Sequence, residues 1–366
     1  MTYKEYVMED ALEALIDYRG KTPKKSNSGI PTLSAKSVKN NQINYSECYY
    51  ISPDEYKRFM VRGFPKKGDI LLTTEAPLGM VARLDRDDVA IAQRLLTLRG
   101  KKDVLDNDYL LYLLQSPYGQ GLLKAKETGT TVTGIKQAEF RKIIVKLPDI
   151  EIQQKIGSIL RSIDEKISTI QKINDNLQQQ AQAIYASMFI DNADPTWEQG
   201  HLSDLITVKY GKDHKKLADG SYPVYGSGGI MRYVERPLYD KESVLIPRKG
   251  TLNNVMYVNR PFWSVDTMFY TEMRLPNVAK FVYHFVKSKD LASMNAGSAV
   301  PSMTTDILNA IEVAIPSASA LEEFEALVSP MYKAMQENDN QSEILAKLRD
   351  SLLPKLMSGE IDVSDI

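Results

Sequence analysis

Cysteine and histidine are scarce in this sequence of 366 residues, which contains one cysteine, Cys48, and three histidines. A single cysteine cannot form a disulfide within the chain, so we expect a reducing, cytoplasmic compartment. The histidines His201, His214 and His284 are scattered and offer no zinc-ligand spacing. We therefore expect no bound metal.

Long apolar runs are missing as well, and no stretch is apolar for long enough to span a bilayer. The opening MTYKEYVMEDALEALIDYRG is acidic early and lacks the basic-then-apolar order of a signal peptide. With 43% hydrophobic and 25% charged residues, the composition is typical of a globular protein of two or three domains. We expect no membrane contact.

Catalytic motifs are also missing. The GKT at residues 20–22 lacks the preceding glycine of a phosphate-binding loop, since Leu15 occupies that position. In PDEYK, at residues 53–57, the two acidic residues are adjacent, which favours a solvated turn over a nuclease site. There is no Asp/Asn-Pro-Pro-aromatic motif of an amino-methyltransferase, no glycine-rich adenosylmethionine loop, and no nucleophile beside a histidine. These absences favour a protein that binds over one that catalyses.

An internal repeat is present. GTTVTGIKQAEFRKIIVKLP, at residues 129–148, matches GSAVPSMTTDILNAIEVAIP, at residues 297–316, in length, in its first glycine, in several apolar positions and in its last proline. Earlier in each half, GDILLTTEAPLGMVARL at 68–84 corresponds to ESVLIPRKGTLNNVMYV at 242–258. Because these segments keep their order, the second half repeats the plan of the first.

Each half combines short strands with one helix. The residue types predict strands at 69–74 and 89–98, then at 243–247 and 263–273. Helices are predicted around 108–115 and 278–287. A glycine-threonine or glycine-serine loop, a short strand and a proline then close each half. The predicted class is α+β, with two similar globular domains.

A long helix is predicted after each closing proline. Apolar residues recur at spacings of three and four over residues 150–189 and 321–357, as in a coiled coil. Lys166 and Gln180 interrupt the first seam, and we expect them to fix its register; Pro330 predicts a kink or a late start in the second helix. The predicted packing residues are Ile152, Ile156, Ile159, Ile163, Ile170, Ile173, Leu177, Leu321, Phe324, Val328, Met331, Leu345 and Leu352.

Two arrangements of these helices stay open on sequence grounds. They pack against each other as an antiparallel pair, which would give the chain a pseudo-two-fold axis, or they join two copies of the chain. We expect the antiparallel pair to set the separation of the two domains, at about 1.5 Å per helical residue.

Charge is unevenly distributed although the net charge is −1. Counting Lys and Arg against Asp and Glu, residues 1–148 carry +6, 149–190 carry −1, 191–317 carry 0 and 318–366 carry −6, which sum to −1. Residues 19–67 hold eleven basic and three acidic residues. A basic face of this kind is either a phosphate-binding surface or a solvated one.

The residues we predict to contact DNA lie in loops that mix basic side chains with Asn, Ser, Thr and Tyr. Basic side chains suit phosphates, and amides and hydroxyls suit base edges. The candidates in the first half are Arg19, Lys21, Lys24, Lys25, Lys36, Lys39, Asn40, Asn41, Thr130 and Thr131. Those in the second half are Lys212, Lys215, Lys216, Tyr225, Ser227, Arg248, Lys249, Asn253, Asn254 and Ser298.

Taken together, these features resemble the DNA-specificity subunit of type I restriction–modification enzymes. LPDIEIQQKIGSILRSIDEKISTIQKINDNLQQQAQAIYASMF, at residues 147–189, is similar to the central spacer of that family. LRDSLLPKLMSGEIDVSDI, at residues 348–366, is similar to its C-terminal end. The resemblance divides the chain into a target-recognition domain at 1–148, a spacer helix at 149–190, a second target-recognition domain at 191–317, and a spacer helix and tail at 318–366.

The resemblance implies a non-catalytic reader of double-stranded DNA, in which each domain grasps one half of a split site. It implies docking of two modification (methyltransferase) subunits and of restriction (translocase and endonuclease) subunits. Those partners would use S-adenosylmethionine, ATP and Mg²⁺, whereas this chain would bind no cofactor. Two alternatives are a stand-alone nuclease or methyltransferase with a divergent site, and a scaffold that binds proteins only.

Overall fold

The computed structural model describes residues 2–39, 41–129, 133–294 and 302–364. The chain divides into two compact units: unit 1 comprises Met1–Ile170 and Asn340–Ile366, and unit 2 comprises Gln171–Asp339. Both divisions fall within long helices, so each unit contains a globular part and one segment of each long helix. The four-part division at 148, 190 and 317 stays a prediction.

The globular part of unit 1 is built from short strands, as expected. They are β1 (Tyr3–Val7), β2 (Leu12–Asp17), β3 (Ile30–Leu33), β4 (Val38–Lys39), β5 (Gln42–Ile43), β6 (Tyr49–Ile51), β7 (Ile70–Thr73), β8 (Val81–Arg83), β9 (Ala90–Ile91), β10 (Leu95–Gly100) and β11 (Ile144–Pro148). The helices are α1 (Met8–Ala11), α2 (Pro53–Phe59), α3 (Asn107–Gln115), α4 (Pro117–Ala125) and α5 (Gln137–Arg141).

The strands of unit 1 form two main sheets. One has the order β2-β10-β7-β8 and is antiparallel throughout, and the other has the order β6-β3-β9. Strand β7 is buried at every residue because Ile70 and Leu72 face the core around α3, while Leu71 faces the second core around β3. Asp106 caps α3, since its carboxylate accepts from the backbone N–H of Tyr109 at 3.0 Å.

The first long helix, α6 (Ile150–Ala186), follows β11 and continues into a π-helical turn, Ser187–Asp191. The strands of unit 2 are β12 (Glu198–His201), β13 (Ile206–Tyr210), β14 (Asp219–Gly226), β15 (Gly229–Val234), β16 (Ser243–Pro247), β17 (Met256–Val258), β18 (Trp263–Ser264), β19 (Met268–Met273) and β20 (Glu312–Ile315). Its remaining helices are α7 (Leu202–Leu205), α8 (Ala279–Lys287), α9 (Thr305–Asn309) and the second long helix, α10 (Ala318–Ser358).

Unit 2 repeats the sheet order of unit 1. Its sheets β13-β19-β16-β17 and β15-β14-β18 correspond to β2-β10-β7-β8 and β6-β3-β9. The pair β1–β11 corresponds to β12–β20, and both pairs are antiparallel. Even single bonds recur, since Met8 N–H donates to Ile143 O and Leu202 N–H donates to Ile311 O, both at 2.8 Å. The predicted α+β class and internal repeat are therefore confirmed.

The long helices both begin just after the predicted prolines. Pro330 lies inside α10, twelve residues after its first residue, so the late start expected from this proline is wrong. The position does not end the helix, because α10 continues to Ser358. Among the described residues, no helix has both the length and the hydropathy needed to cross a membrane.

Within each unit the two helix segments pack on the globular core and run antiparallel. In unit 1, Arg349 Nη1 lies 2.7 Å from Asp164 Oδ1. In unit 2, Asn174 donates to Asp339 Oδ1 at 2.8 Å and accepts from Asn338 at 2.8 Å. The residue numbers of these partners add to 512 or 513 in every case, which is the mark of antiparallel pairing.

The polar register contacts differ from those expected. Lys166 and Gln180 are both exposed, and the bonds between the helices come from Asp164 and Asn174 instead. Ile173 is also a correction, because its side chain is 44% exposed. Its neighbour Asn174 faces α10, and successive helical residues point about 100° apart, so residue 173 is turned away from the seam.

The other predicted packing residues lie on the inner faces of the helices. Buried are Ile156, Ile163, Ile170, Leu321, Phe324 and Val328, and partly buried are Ile152, Ile159, Leu177, Met331, Leu345 and Leu352. Much of their contact is with the globular core rather than with the other helix. In unit 1 the core around α3 also takes in Leu160, Leu353 and Leu356, and in unit 2 the core around α8 takes in Ala181, Tyr185 and Tyr332.

Candidate nucleic-acid interface

In unit 1 four loops meet where β7 ends. The backbone N–H of Thr74 donates to Arg94 O at 3.0 Å, and the N–H of Ile135 donates to Thr74 O at 2.9 Å. The guanidinium of Arg19 reaches Ile135 O at 3.3 Å. We call the joined segments, residues 17–25, 74–79, 93–94, 128–129 and 133–135, loop cluster 1.

Side chains add two further bonds to loop cluster 1. The amide of Gln93 donates to the hydroxyl of Thr22 at 2.6 Å. Glu75, the first loop residue beyond Thr74, places Oε1 2.7 Å from Nε of Arg94, whose side chain is 54% exposed. The cluster is therefore held by hydrogen bonds and an ion pair, while much of its charge faces solvent.

The same bonds recur in unit 2, where β16 ends. Arg248 N–H donates to Thr267 O, and Met303 N–H donates to Arg248 O, both at 2.9 Å. Lys249 pairs with Ser302 as Glu75 pairs with Gly134. We call the corresponding segments, residues 210–216, 227, 248–254, 264–267 and 302–303, loop cluster 2.

Close backbone contacts shape loop cluster 2. Gly211 N–H donates to Met268 O at 3.0 Å, and a Cβ at Gly211 would lie 2.0 Å from Val265 O, so only glycine fits there. The guanidinium of Arg248 stacks over the ring of Tyr210, 5.3 Å from its centroid. Asp213 accepts from the backbone N–H of Lys215 at 3.0 Å, and this bond lowers the pKa of Asp213. The carboxylate therefore stays charged within a group of lysines.

Most predicted basic residues lie exposed in these two clusters. Arg19, Lys21, Lys24 and Lys25 belong to loop cluster 1; Lys212, Lys215, Lys216 and Lys249 belong to loop cluster 2, with Arg248 half-buried. Lys25 is also held over the ring of Tyr49, 4.8 Å from its centroid. A cation fixed near an aromatic ring at the surface keeps its charge available to a phosphate.

Three candidates lie on other elements of unit 1. Lys36 is exposed in the 3-10 turn Ala35–Ser37, and Lys39 is exposed in the hairpin of β4 and β5. Asn41, in the same hairpin, exchanges side-chain hydrogen bonds with Gln115 at the end of α3. The side-chain amide of Asn41 is therefore used in a hydrogen bond within the fold. Asn40, Thr130, Thr131 and Ser298 lie outside the described residues.

The structure corrects the assignments of three residues in unit 2. Tyr225 is buried, with its ring against Phe262 and its hydroxyl 3.3 Å from the guanidinium of Arg260, so it supports β14 and offers no surface contact. The Asn254 amide donates to Ser227 O at 2.7 Å, and that of Asn253 donates to Asp290 at 3.0 Å. The Asn254 amide holds loop cluster 2 together through the half-buried Ser227, and the Asn253 amide ties the cluster to Asp290, just beyond α8.

Sequence reasoning missed Glu75, Arg94 and Tyr210. The alignment of residues 68–84 with 242–258 already paired Glu75 with Lys249, and this charge reversal was the available signal. Tyr210 is the last residue of β13 and directly precedes Gly211. It is 51% exposed, and the guanidinium of Arg248 lies over its ring. Within the described ranges, no three His, Cys, Asp or Glu side chains form a group that could hold a metal ion.

This chain is similar to known proteins. The family model described as the type I restriction modification DNA specificity domain matches residues 8–179 and again residues 195–351. The MjaIX specificity subunit of Methanocaldococcus jannaschii is 25% identical, over 92% of this chain and 88% of that protein. The HindI specificity subunit of Haemophilus influenzae is 21% identical, over 90% of this chain and 94% of that protein.

A solved structure shares the fold. The S subunit of a type I restriction–modification system from M. genitalium superposes with a TM-score of 0.61 at 18% identity, covering 97% of this chain and 96% of that one. The two matches of the family model fall on the two halves that the structure shows to be repeats. The chain therefore belongs to the family of type I restriction modification DNA specificity domains.

Proposed function

We propose that this chain recognises a split target in double-stranded DNA, with loop cluster 1 contacting one half of the target and loop cluster 2 the other. It acts as the specificity subunit of a type I restriction–modification system. Two modification subunits and the restriction subunits dock on it and supply the chemistry, using S-adenosylmethionine, ATP and Mg²⁺. The chain itself binds none of these cofactors.

One observation carries the proposal: two units of one chain present the same loop arrangement. In each cluster the same pair of backbone bonds joins the end of β7 or β16 to the residue before β10 or β19 and to the closing loop of its half. Each also exposes at least four basic side chains. A repeated basic surface suits duplex DNA, whose two strands repeat the same phosphate pattern.

The antiparallel helix segments support a second part of the proposal, that helix length sets the gap between the half-targets. Polar bonds at Asp164 and Asn174 fix the register of the two helices in each unit. Because the register is fixed, the number of helical residues determines the distance along the helix pair.

Salt titration tests the DNA interface. Replacing Lys21 and Lys212 with Ala should weaken binding to every duplex sequence and reduce the slope of log affinity against log salt by about one to two units, because two phosphate contacts are lost. The control replaces Lys101 and Lys102 with Ala. These exposed lysines lie just beyond Gly100, at the end of β10 opposite to Arg94. Equal slopes in both variants would mean that the clusters are solvated surfaces.

A further inference from the structure

Glu75 and Lys249 occupy equivalent positions in the two loop clusters. Each is the second residue beyond its strand, after β7 in unit 1 and β16 in unit 2. Each forms an isolated backbone bridge to the closing loop, Glu75 to Gly134 and Lys249 to Ser302. The residue before each makes the same two backbone hydrogen bonds, so the two side chains start from matching backbone positions.

The two side chains have opposite hydrogen-bonding capacity. An ionised glutamate only accepts hydrogen bonds, and a lysine ammonium only donates them. A surface that merely attracts phosphates would gain from a lysine at both positions, whereas a carboxylate repels phosphates. The carboxylate at position 75 is therefore unfavourable for general DNA affinity, unless it meets a donor on the DNA.

Glu75 is partly buried in loop cluster 1, with 25% of its side chain exposed. Nε of Arg94 holds Oε1 at 2.7 Å, and the Arg94 side chain is itself 54% exposed. An ion pair that is open to solvent on the arginine side contributes little to folding stability, so stability alone does not explain this carboxylate. Arg94 is a positioning residue that sets the direction of Glu75.

We propose that Glu75 and Lys249 are specificity-determining residues that read bases of opposite hydrogen-bonding type in the two half-targets. Glu75 accepts from the N4 amine of a cytosine, and Lys249 donates to O6 and N7 of a guanine, in the major groove. The inference rests on the proposed DNA recognition and deepens it. It explains how two equivalent loops of one chain read different sequences.

A selection experiment tests this assignment. The full-length chain is incubated with a pool of duplexes that carry two randomised half-targets, and bound duplexes are sequenced. The wild-type protein should enrich one cytosine position in the half-target that belongs to unit 1, by roughly 5- to 150-fold over the other bases. Glu75→Gln should shift that position to adenine, which a glutamine amide reads through N6 and N7.

The reciprocal charge swap sharpens the test. Glu75→Lys should change the same position to guanine, and Lys249→Glu should change one guanine of the other half-target to cytosine. The control is Glu5→Gln, which removes an exposed carboxylate that pairs with Lys146 on β11 at 3.8 Å, outside both clusters. This control should leave every position unchanged.

The outcomes separate the two proposals. If the wild-type protein enriches no sequence, DNA recognition by this chain is wrong, and the base assignment is wrong with it. If the wild-type protein enriches a motif that Glu75→Gln and Lys249→Glu leave unchanged at every position, DNA recognition holds and the base assignment alone is overturned. A change in the wrong half-target would also overturn it.

Discussion

His284 is fully buried in unit 2, between one side chain from each long helix. The side-chain oxygen of Gln182 accepts from Nδ1–H at 2.7 Å, and the hydroxyl of Tyr332 donates to Nε2 at 2.9 Å. The neutral imidazole satisfies both bonds when Nδ1 carries the proton, because Nε2 then accepts from the hydroxyl. Burial lowers the pKa of His284 to about 3, and the positive charge of Lys287 adds to the effect.

This depressed pKa predicts acid sensitivity. The unfolded chain protonates a histidine below pH 6.5, whereas folded unit 2 keeps His284 neutral down to about pH 3. Folding stability is therefore lost as pH falls below 6.5, by about 1.4 kcal/mol per pH unit. Between pH 6.5 and pH 5 the wild-type protein should lose about 2 kcal/mol that His284→Gln does not lose.

Denaturant unfolding at both pH values, followed by hydrogen exchange of the α8 peptide, measures the effect. His201→Gln, which removes an exposed histidine, is the control and should behave like the wild-type protein. An equal pH dependence in His284→Gln and wild type would show that another group causes the acid sensitivity.

At the residue scale, sequence reasoning found the basic loop residues but not the roles of the polar ones. Lysines and arginines at positions such as Lys21 and Lys212 stay at the surface because burying an unpaired charge is costly, so their exposure is predictable. An amide or a histidine side chain can be either buried or exposed in a folded protein. Whether Asn254 or His284 is committed to the fold depends on partners that are distant in sequence, such as Ser227 O and Tyr332.

The long helices show the same limit at the element scale. Apolar spacing predicted both helices and most of their inner faces. It could not identify the polar contacts, because a stripe of apolar residues does not specify which flanking polar residue meets a partner. Asp164 is one such residue: it accepts from the Tyr112 hydroxyl at 2.7 Å and from Arg349 at 2.7 Å, so it joins α3, α6 and α10.

Removing Asp164 should therefore weaken unit 1. Asp164→Ala leaves the Tyr112 hydroxyl and the Arg349 guanidinium without this partner, which we expect to cost about 2 kcal/mol in the free energy of unfolding. Glu165→Ala is the matched control, since Glu165 makes an exposed pair with Arg161 on the same helix and should cost less than about 0.5 kcal/mol. Hydrogen exchange in α3 and α8 measures the effect by unit. Equal protection of α3 in both variants would count against the role of Asp164.

Helix length should control the gap between half-targets. Inserting one heptad into α6 after Ile170 and one into α10 after Asp339 keeps the seam in phase and adds about 10 Å. At about 3.4 Å per base pair, the unspecified gap should widen by about three base pairs while both half-sequences persist. Sequencing the methylated sites of cells that carry the variant and its partner subunits gives the gap. Modification at the original gap would mean that the helices do not set the distance.

At the scale of the whole molecule, the repeat was the most informative feature of the sequence. Segments such as 129–148 and 297–316 recur because each half closes with the same helix, strand and long helix, here α5-β11-α6 and α9-β20-α10. The sequence did not reveal that each compact unit takes one segment of each long helix. This sharing of both helices between the units arises because α10 runs antiparallel to α6. The two helices are more than 100 residues apart in the chain, so local sequence patterns do not indicate their pairing.

The central claim is that each globular part reads its own half of the target. Exchange of residues 191–317 for the corresponding residues of a relative with a different target tests it most directly. The methylated motif in cells that carry the hybrid chain and its partner subunits is then sequenced. The account predicts that one half-sequence is replaced by that of the relative, while the other half-sequence and the gap stay unchanged. A motif in which both halves change, or in which neither does, would contradict it.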